Sequence, residues 1–340
     1  MYKNTLNYFL VITFAALLAV PFTHAQNVPA PIQYVVSPDT PGPNTRVSIE
    51  AQGVGTFLGD ATITWSTDGK VTLTGVGQRD FSFTTGALGT QTRIHVVINS
   101  VTQGTLSQDW VFIPSSINLV WEADTSVPPL YRGKALYSGG SNLKVVAFPS
   151  IVINGKALPS SSLSFQWTVN DNPLPQRSGL GQSALSFTGD QLQHQEVVGV
   201  TVYYGASKVG YGEVVIPTTN PQILTYSKDP LRGLLLDNAL PTNLSLSAKE
   251  FTIQAVPYYF ANQSLRSGAA TFAWTLNNED TTGPNAAKGQ LTLRQSGNGA
   301  GSAVIGVTVQ NTDSSMLVQA AEAALQIVFG QSSGSSLFGL

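Results

Sequence analysis

The 340-residue sequence contains no cysteine, and charged residues make up only 11% of it. That charged fraction is less than half of the ~25% that is usual in soluble domains. Without cysteine the chain has no disulfide, no thiolate-ligated metal and no lipid-attachment cysteine. Each domain must therefore be held together by its hydrophobic core alone, which is feasible for domains of roughly 100 residues.

The few charges that are present are close to balanced. The formal net charge is −2, and no long run of like charges occurs. Such a balance creates no field that would attract nucleic acid or an anionic membrane. The surface must instead be rich in Ser, Thr, Asn and Gln, a composition that suits an extracellular protein. We expect no nucleic-acid partner.

The sequence also has no apolar run that is long enough to span a bilayer. The longest candidate, residues 9–20, falls well short of the ~20 residues that spanning requires. It follows Lys3 and leads to Thr23 and Ala25, which fit the small-residue positions of a signal-peptidase site. The pattern predicts a cleaved signal peptide over residues 1–25, with an uncleaved anchor as the alternative. We expect an exported protein (extracellular, cell-surface or periplasmic) with no transmembrane segment after cleavage.

One short pattern is present three times. Each copy places a bulky apolar residue two positions before a tryptophan, and residues two apart point to the same face of a strand. The tryptophans are Trp65, Trp167 and Trp274. Roughly 100 residues separate each from the next, which is the length of one β-sandwich domain. The sequence therefore predicts a serial array of three like domains.

Each tryptophan lies between two segments of alternating apolar and polar residues. The central apolar residues are Ile49, Val145 and Ile253 before the tryptophans, and Val96, Val200 and Val307 after them. Alternation with a period of two predicts half-buried strands. Pro114 and Pro217 end the first two copies. We predict all-β domains at residues 31–114, 117–217 and 222–329.

About seven short strands per copy, with a tryptophan on the third, resemble an immunoglobulin-like sandwich. In that family the tryptophan packs across the two sheets, close to residues of the second and sixth strands. Those residues would be three pairs here: Ile49 with Val96, Val145 with Val200, and Ile253 with Val307. Apolar pairs thus occupy the positions of the antibody disulfide.

The chain is also similar to bacterial surface proteins built from tandem Ig-like or PKD-like modules. PKD-like modules have an acidic, glycine-containing turn after the tryptophan. Asp68 and Gly69 approach that turn, whereas residues 170–172 and 277–280 do not keep it. The resemblance implies an exported, non-enzymatic protein of β-sandwiches.

Two segments depart from the simple repeat. The second and third copies are longer near their starts, where residues 129–133 resemble residues 230–233. This predicts an added loop or edge strand in each.

Residues 316–329 are rich in alanine, which favours helix locally. Their position in the repeat predicts a hairpin and a last strand, and we follow the repeat because tertiary context overrides propensity.

No catalytic constellation is present in the sequence. It has no nucleophile elbow, no paired metal-binding histidines and no phosphate-binding loop. His95 and His194 are interpreted as solvated. The acids Asp68, Asp171, Glu279 and Asp280 could hold calcium, but one or two acids per turn are few for that ion. Asx turns are the favoured interpretation. We expect no enzyme activity, no cofactor and no metal.

Several aromatic residues lie outside the repeated core position. They are Trp110, Trp121, Tyr203, Tyr204, Tyr211 and residues 258–260. Exposed rings could stack on sugars, whereas rings at domain junctions would be buried contacts, and we favour the second reading. Trp110 and Trp121 flank Pro114, so we expect them to brace the first junction.

The end of the sequence is a polar spacer followed by apolar residues. Within residues 331–340, Leu337, Phe338 and Leu340 form the apolar tip. The tip could pair with a sheet edge or a partner, with a frayed end as the alternative. We interpret the whole chain as a surface or secreted spacer and interaction module whose partners are envelope or surface proteins or another copy. The alternative is a carbohydrate- or cell-wall-binding module.

Overall fold

The computed structural model describes residues 32–53, 57–297, 300–314, 316 and 319–329. In this part of the chain, strands form three β-sandwiches in series. The expected all-β fold of tandem immunoglobulin-like sandwiches is confirmed. The predicted signal peptide and the tail of residues 331–340 lie outside the described residues.

The first sandwich is built from the following elements: β1 (Ile32–Ser37), β2 (Arg46–Gly53), α1 (Phe57–Asp60), β3 (Thr62–Thr67), β4 (Lys70–Val76), β5 (Asp80–Thr84), β6 (Thr92–Ser100) and β7 (Gly104–Phe112). One sheet has the strand order β1-β2-β5, and the other has the order β4-β3-β6-β7. All of these pairings are antiparallel. The two sheets enclose the core.

The second sandwich repeats this plan with small additions: β8 (Ser116–Ala123), β9 (Asn142–Ser150), β10 (Val152–Ile153), β11 (Lys156–Ala157), β12 (Ser164–Val169), β13 (Asn172–Pro173), β14 (Gly179–Leu180), β15 (Ala184–Thr188), β16 (Gln195–Tyr204) and β17 (Ser207–Pro217). Its sheets are ordered β15-β9-β8 and β13-β12-β16-β17, and β14 also pairs with β12. The β10-β11 hairpin is an insertion.

The third sandwich carries the largest additions: β18 (Gln222–Asp229), β19 (Gly233–Leu234), β20 (Asn243–Leu246), β21 (Glu250–Tyr258), α2 (Asn262–Ser267), β22 (Ala270–Leu276), β23 (Glu279–Thr281), β24 (Gln290–Arg294), β25 (Gly301–Asn311) and β26 (Ala320–Phe329). The sheets are ordered β19-β18-β21-β24 and β20-β26-β25-β22-β23. The pairing of β20 with β26 is parallel. Short 3₁₀ helices occur at Ser160–Ser162, Pro175–Arg177 and Ala286–Lys288.

The alternating segments form half-buried strands because one face of each packs into a core. Val47, Ile49 and Ala51 of β2 are at most 1% exposed, whereas the residues between them face solvent. Each sandwich has its own cluster of buried apolar residues. Ile49, Val96, Val145, Val200, Ile253 and Val307 all belong to these clusters.

The three tryptophans occupy the same place in each sandwich. Trp65, Trp167 and Trp274 are 0%, 1% and 2% exposed. In each sandwich the tryptophan is directly opposite the central valine of the later strand, which is its neighbour in the same sheet. Each indole N–H donates to a backbone carbonyl of the connection that follows, at 2.9, 2.8 and 3.2 Å. Every indole is thus both buried and hydrogen-bonded, as a buried tryptophan requires.

The turn after the tryptophan strand has the same backbone conformation in all three sandwiches, although residues 170–172 and 277–280 do not keep the acidic, glycine-containing sequence of the PKD-like turn. Both central residues have positive φ in each turn: 49° and 80° at Asp68 and Gly69, 49° and 63° at Asn170 and Asp171, and 54° and 69° at Asn277 and Asn278. Two positive φ angles match the right-handed twist of a tight hairpin. Asn and Asp tolerate this conformation, so the same turn forms without glycine.

The first residue of each turn also fastens the neighbouring strand. The backbone N–H groups of Arg93, Val197 and Val304 donate to the side-chain Oδ1 atoms of Asp68, Asn170 and Asn277, at 2.8, 2.9 and 2.8 Å. The backbone N–H of each turn residue donates back to the carbonyl of the same partner at 2.8 Å. We call this reciprocal pair of bonds the Asx clamp. Because these side-chain oxygens are engaged by backbone, the turns have a structural role.

The additions in the second and third copies differ in kind. Residues 124–141 form a long connection between β8 and β9, whereas residues 230–249 contain the added strands β19 and β20. The alanine-rich segment is strand β26, which pairs with β25 along its whole length. The expected last strand is confirmed, because pairing and burial outweigh local helix propensity.

Candidate functional site at the domain junctions

Residues 124–141, which we call the docking segment, leave the second sandwich and lie against the third. Thr125 forms an isolated antiparallel bridge with Ala261. The backbone N–H of Ser126 donates to the Phe260 carbonyl at 2.7 Å, and the Tyr259 N–H donates to the Ser126 carbonyl at 2.8 Å. The segment thus adds a short strand to the connection that follows β21.

Side chains reinforce this backbone pairing. The Ser126 hydroxyl donates to the Pro257 carbonyl at 2.9 Å and accepts from the Phe260 N–H at 3.1 Å. Asp124 accepts from the Asn262 side-chain amide at 2.8 Å and lies 3.7 Å from the Arg266 guanidinium. Each of these bonds contributes only about 0.5–1.5 kcal/mol net, but together they fix one orientation.

A buried amide ties the other end of the docking segment to the third sandwich. Gln319, which is 0% exposed, donates through Nε2 to the Ser138 hydroxyl at 3.0 Å and the Gly139 carbonyl at 3.1 Å. Its Oε1 accepts from the Ala261 N–H at 2.9 Å. One side chain therefore joins the docking segment to two loops of the next sandwich.

Four tyrosines fill the space beside this contact. The Tyr226 and Tyr258 hydroxyls are 2.6 Å apart, and those of Tyr131 and Tyr259 are 2.9 Å apart. Val127 and Leu136 of the docking segment pack on the same cluster. Burial raises the pKa of Tyr258, and the hydrogen bond with Tyr226 adds to the shift. Burial, followed by the bond with Tyr131, raises the pKa of Tyr259 to about 12.

The docking segment is equally well fixed to its own sandwich. The Tyr137 hydroxyl donates to the Glu196 carboxylate at 3.0 Å, and the Tyr137 carbonyl accepts from the Thr219 N–H of the linker at 2.7 Å. Glu196 is 1% exposed and also accepts from the Asn170 side chain and the Asp190 N–H, each at 2.6 Å. These donors satisfy a carboxylate that is buried without a cation.

The junction between the first and second sandwiches is much lighter. Lys208 and Asp39 form an ion pair across it at 2.6 Å. The hydrogen bond from Lys208 and its charge lower the pKa of Asp39. Gly89 also approaches Val152, so that a Cβ at Gly89 would lie 2.6 Å from the valine side chain. Among the described residues, no other side-chain hydrogen bond or ion pair joins these two sandwiches.

An open cleft of about 400 Å³ remains at this lighter junction. Its apolar walls come from both sides: Val111, Phe112, Ile113, Ile151, Ile153 and Val209. Asp39, Thr40, Tyr204, Ser207 and Lys208 supply its polar lining. Clefts of this size and character at domain interfaces are common places for ligands and partner segments.

The expectation that Trp110 and Trp121 brace the first junction is wrong. Trp110 packs inside the first sandwich, 6.2 Å from the Trp65 ring and 4.9 Å from the Tyr34 ring. Trp121 packs on the second core and is covered by the Lys134 ammonium, 3.2 Å from the ring centroid. Burial lowers the pKa of Lys134, against the opposing effect of Glu122. Neither indole is free to stack on a sugar.

The remaining aromatics divide between buried and exposed positions. Residues 258–260 are buried at the second junction, as the junction reading expects. Tyr204 and Tyr211 are 44% and 45% exposed on the second sandwich. The Tyr211 hydroxyl donates to Glu213, and this bond, followed by burial, raises its pKa to about 12.

The expected solvated histidines are not alike. His95 Nδ1 lies 2.7 Å from the Asp109 carboxylate on the outer face of the first sandwich. The His194 side chain is exposed, and its carbonyl accepts from the Thr218 N–H at 2.9 Å. In the described ranges, no group of three or more His, Cys, Asp and Glu side chains could hold a metal ion.

A surface concavity of about 710 Å³ lies on the second sandwich. Two carboxylates, Glu122 and Asp124, line it together with Lys144 and Arg177. Asp124 is already bonded to α2 across the junction.

Sequence reasoning did not find the docking segment. The one available signal was the extra length of the second copy, with its Pro129–Gly133 motif. Tyr131 of that motif contacts Tyr259, but Leu130 is 97% exposed, and the backbone pairing is made by Thr125 and Ser126. Small polar residues that bond to distant backbone carry no local pattern.

Comparisons with known proteins find matches among solved structures only. No protein-family model matches the chain, and no curated protein matches it. Among solved structures, it is similar to the three N-terminal domains of the bacteriophage RB49 outer capsid protein Hoc, with 12% identity over 88% of this chain and 97% of that one, at a TM-score of 0.24.

Two further structures are similar over most of the chain. The central fibronectin-III array of RIM-binding protein has 15% identity over 90% of this chain and 98% of that one, at a TM-score of 0.27. The Bacteroides ovatus glucan-utilization protein SGBP-B, in complex with a mixed-linkage heptasaccharide, has 10% identity over 91% of this chain and 77% of that one, at a TM-score of 0.24. No helix in the described part of the chain has the length and apolar character that crossing a membrane requires.

Proposed function

We propose that the chain is an exported, non-enzymatic spacer and protein-interaction module of the cell surface or the secreted fraction. The docking of residues 124–141 onto the third sandwich is the observation that carries this proposal. Neighbouring domains move relative to one another by default unless a substantial interface holds them. Here backbone pairing, a buried amide and a tyrosine cluster hold the second and third sandwiches in one orientation.

A spacer needs length as well as stiffness. Three sandwiches in series, each with strands of about seven residues at ~3.4 Å plus end loops, would span on the order of 100 Å. The Asx clamps add stiffness within each sandwich by tying a hairpin turn to the strand beside it. Such a rod would hold its far end away from an anchoring surface.

Export is part of the proposal and rests on the pattern of residues 1–25. Expression in a secreting host should release a chain that begins at Gln26. N-terminal sequencing or intact mass would establish this. Retention of the full chain in the membrane fraction would instead favour the uncleaved anchor.

Carbohydrate binding is the second candidate function. The exposed Tyr204 and Tyr211 favour it, whereas the buried or covered tryptophans do not. A glycan-array screen and a hydrolysis assay on cell-wall polysaccharides, both with the purified mature protein, separate the candidates. The spacer proposal expects no specific glycan signal and no turnover. Saturable glycan binding that is lost in Tyr204→Ala would favour the alternative, and turnover would overturn the non-enzymatic assignment.

A further inference from the structure

The two junctions use equivalent positions of successive sandwiches. Val145 in β9 and Ile253 in β21 are the matching core residues of their repeats. Ile151 is as far beyond Val145 as Tyr259 is beyond Ile253, so these two residues occupy equivalent positions in their repeats. By the same count, Ile153 is equivalent to Ala261. At the second junction, Tyr259 and Ala261 are the residues that pair with the docking segment. At the first junction, Ile151 and Ile153 line the open cleft.

The cleft is open because the first sandwich has no docking segment. Its connection between β1 and β2 covers only residues 38–45, against residues 124–141 in the second sandwich. The short connection still supplies an acid, Asp39, that pairs with Lys208, just as Asp124 lies beside Arg266. The first junction therefore has an ion pair of its own, formed with β17 rather than with α2, but lacks the apolar filling that Val127 and Leu136 provide at the second.

We propose that this cleft binds the apolar tip Leu337, Phe338 and Leu340 of a second copy of the chain. The second junction indicates the chemistry of the occupant: an extended segment with apolar side chains, flanked by polar residues that bond to backbone. The tip follows a spacer rich in Ser, so residues 331–340 combine apolar side chains with flanking polar residues. The cleft offers apolar walls for the side chains, and Thr40 and Ser207 for the backbone.

The distance between the end of β26 and the cleft requires that the tip come from another copy. Phe329 ends β26 at the end of the third sandwich opposite Gln319, which touches the docking segment. Leu337 is eight residues beyond Phe329, a span of at most about 29 Å at ~3.6 Å per residue. Between Phe329 and the cleft lie the full lengths of β26 and β17, which have 10 and 11 residues. Each of these strands is on the order of 35 Å long at ~3.4 Å per residue. A chain in this arrangement cannot fill its own cleft.

The contact is therefore head-to-tail, and such contacts form rings or open filaments according to whether the rotation closes. The inference deepens the interaction role proposed above and rests on it only in assuming that the chain has a protein partner. Failure of the cleft experiment would leave the stiffness of the second and third sandwiches untouched, so the two proposals can fail separately.

Sedimentation velocity of the full chain, from micromolar to near-millimolar concentration, tests the inference. Val111→Trp fills the cleft from an exposed strand position, and Val215→Trp is the matched control at an exposed valine outside the cleft. Phe338→Ser removes the central apolar residue of the tip. We expect wild type and Val215→Trp to self-associate, and Val111→Trp and Phe338→Ser to associate at least about tenfold more weakly, the effect of ~1.4 kcal/mol of lost contact.

A peptide of residues 331–340 provides a second readout in case either substitution perturbs folding. Added to the chain lacking those residues, it should shift the methyl signals of Ile113, Ile151 and Ile153, and it should not do so in the Val111→Trp background. A wild-type chain that stays monomeric together with unshifted methyl signals would overturn the inference. Association that persists in Val111→Trp or in Phe338→Ser would overturn it as well.

Discussion

Asn277 accepts a hydrogen bond through Oδ1 from the backbone N–H of Val304 at 2.8 Å, and the same clamp joins Asn170 to Val197. Asn277 also has a φ of 54°, which side chains other than Asn, Asp and Gly adopt at a cost. Asn277→Ala should destabilise the third sandwich by about 2–4 kcal/mol. That estimate combines about 1–2 kcal/mol for the left-handed backbone with about 1–2 kcal/mol for the lost bond.

Two substitutions at the same position separate these contributions. Asn277→Asp keeps both the acceptor and the tolerated backbone, as Asp68 does naturally, and should be nearly neutral. Asn277→Gly keeps the backbone freedom but loses the acceptor, and should cost only the hydrogen-bond part. Urea denaturation measures all three variants. An alanine variant as stable as wild type would show that the clamp contributes little.

Each buried tryptophan should support the core of its own sandwich. Trp167→Ala leaves a large cavity between the sheets of the second sandwich and should cost about 3–5 kcal/mol there. Trp167→Phe keeps most of the apolar volume and should cost less, since it loses mainly the bond to the Gln182 carbonyl. Calorimetry should show the transition of the first sandwich unchanged in both. A shift in the melting temperature of the first sandwich would contradict the claim that its core is separate from that of the second.

Removal of the Ser126 hydroxyl should weaken the second junction selectively. In Ser126→Ala the buried N–H of Phe260 loses its acceptor, at a cost of about 1–3 kcal/mol. We expect wild-type second and third sandwiches to melt in one joint calorimetric transition, which the variant lowers and broadens. Ser107→Ala, at an exposed position of β7, is the control and should leave it unchanged. Independent melting of all the sandwiches in wild type would contradict the docking account.

Alkaline pH should loosen the same junction. The folded-state pKa of Tyr258 is raised, and that of Tyr259 is raised to about 12, against about 10 in the unfolded chain. A group with a raised pKa contributes stability that is complete below the unfolded value and is lost as pH rises through the folded value. The cluster should therefore stabilise the junction fully below pH ~10 and lose that contribution toward pH ~12. Tyrosinate absorbance and the joint transition should change together, and Tyr259→Phe should reduce this pH dependence.

Much of the fold follows from local patterns. Alternation around Ile49, Val145 and Ile253 gives strands because one face of each must be buried. The spacing of the tryptophans gives three sandwiches because each core needs about 100 residues. These signals are local or periodic, so a single sequence is enough to reveal them.

The sites of contact are less visible in the sequence. The pairs Asn170–Asp171 and Asn277–Asn278 take the same turn geometry as Asp68–Gly69. Asn and Asp also tolerate positive φ, so a shared turn geometry does not require a shared sequence. Trp110 lies near Pro114 in sequence, but strand pairing places it on the core of the first sandwich. The docking segment depends on bonds between Ser126 and residues more than 100 positions away, and no local pattern encodes such a partner.

Distance distributions between spin labels test the central claim most directly. The chain has no cysteine, so pairs of cysteines introduced at the exposed positions Gln108, Ser186 and Thr308 label one site in each sandwich. Double electron–electron resonance should give a narrow distribution for the pair 186–308, which spans the docked junction, and a broader one for the pair 108–186. A distribution for 186–308 as broad as that for 108–186 would contradict the account of the second and third sandwiches as one stiff unit.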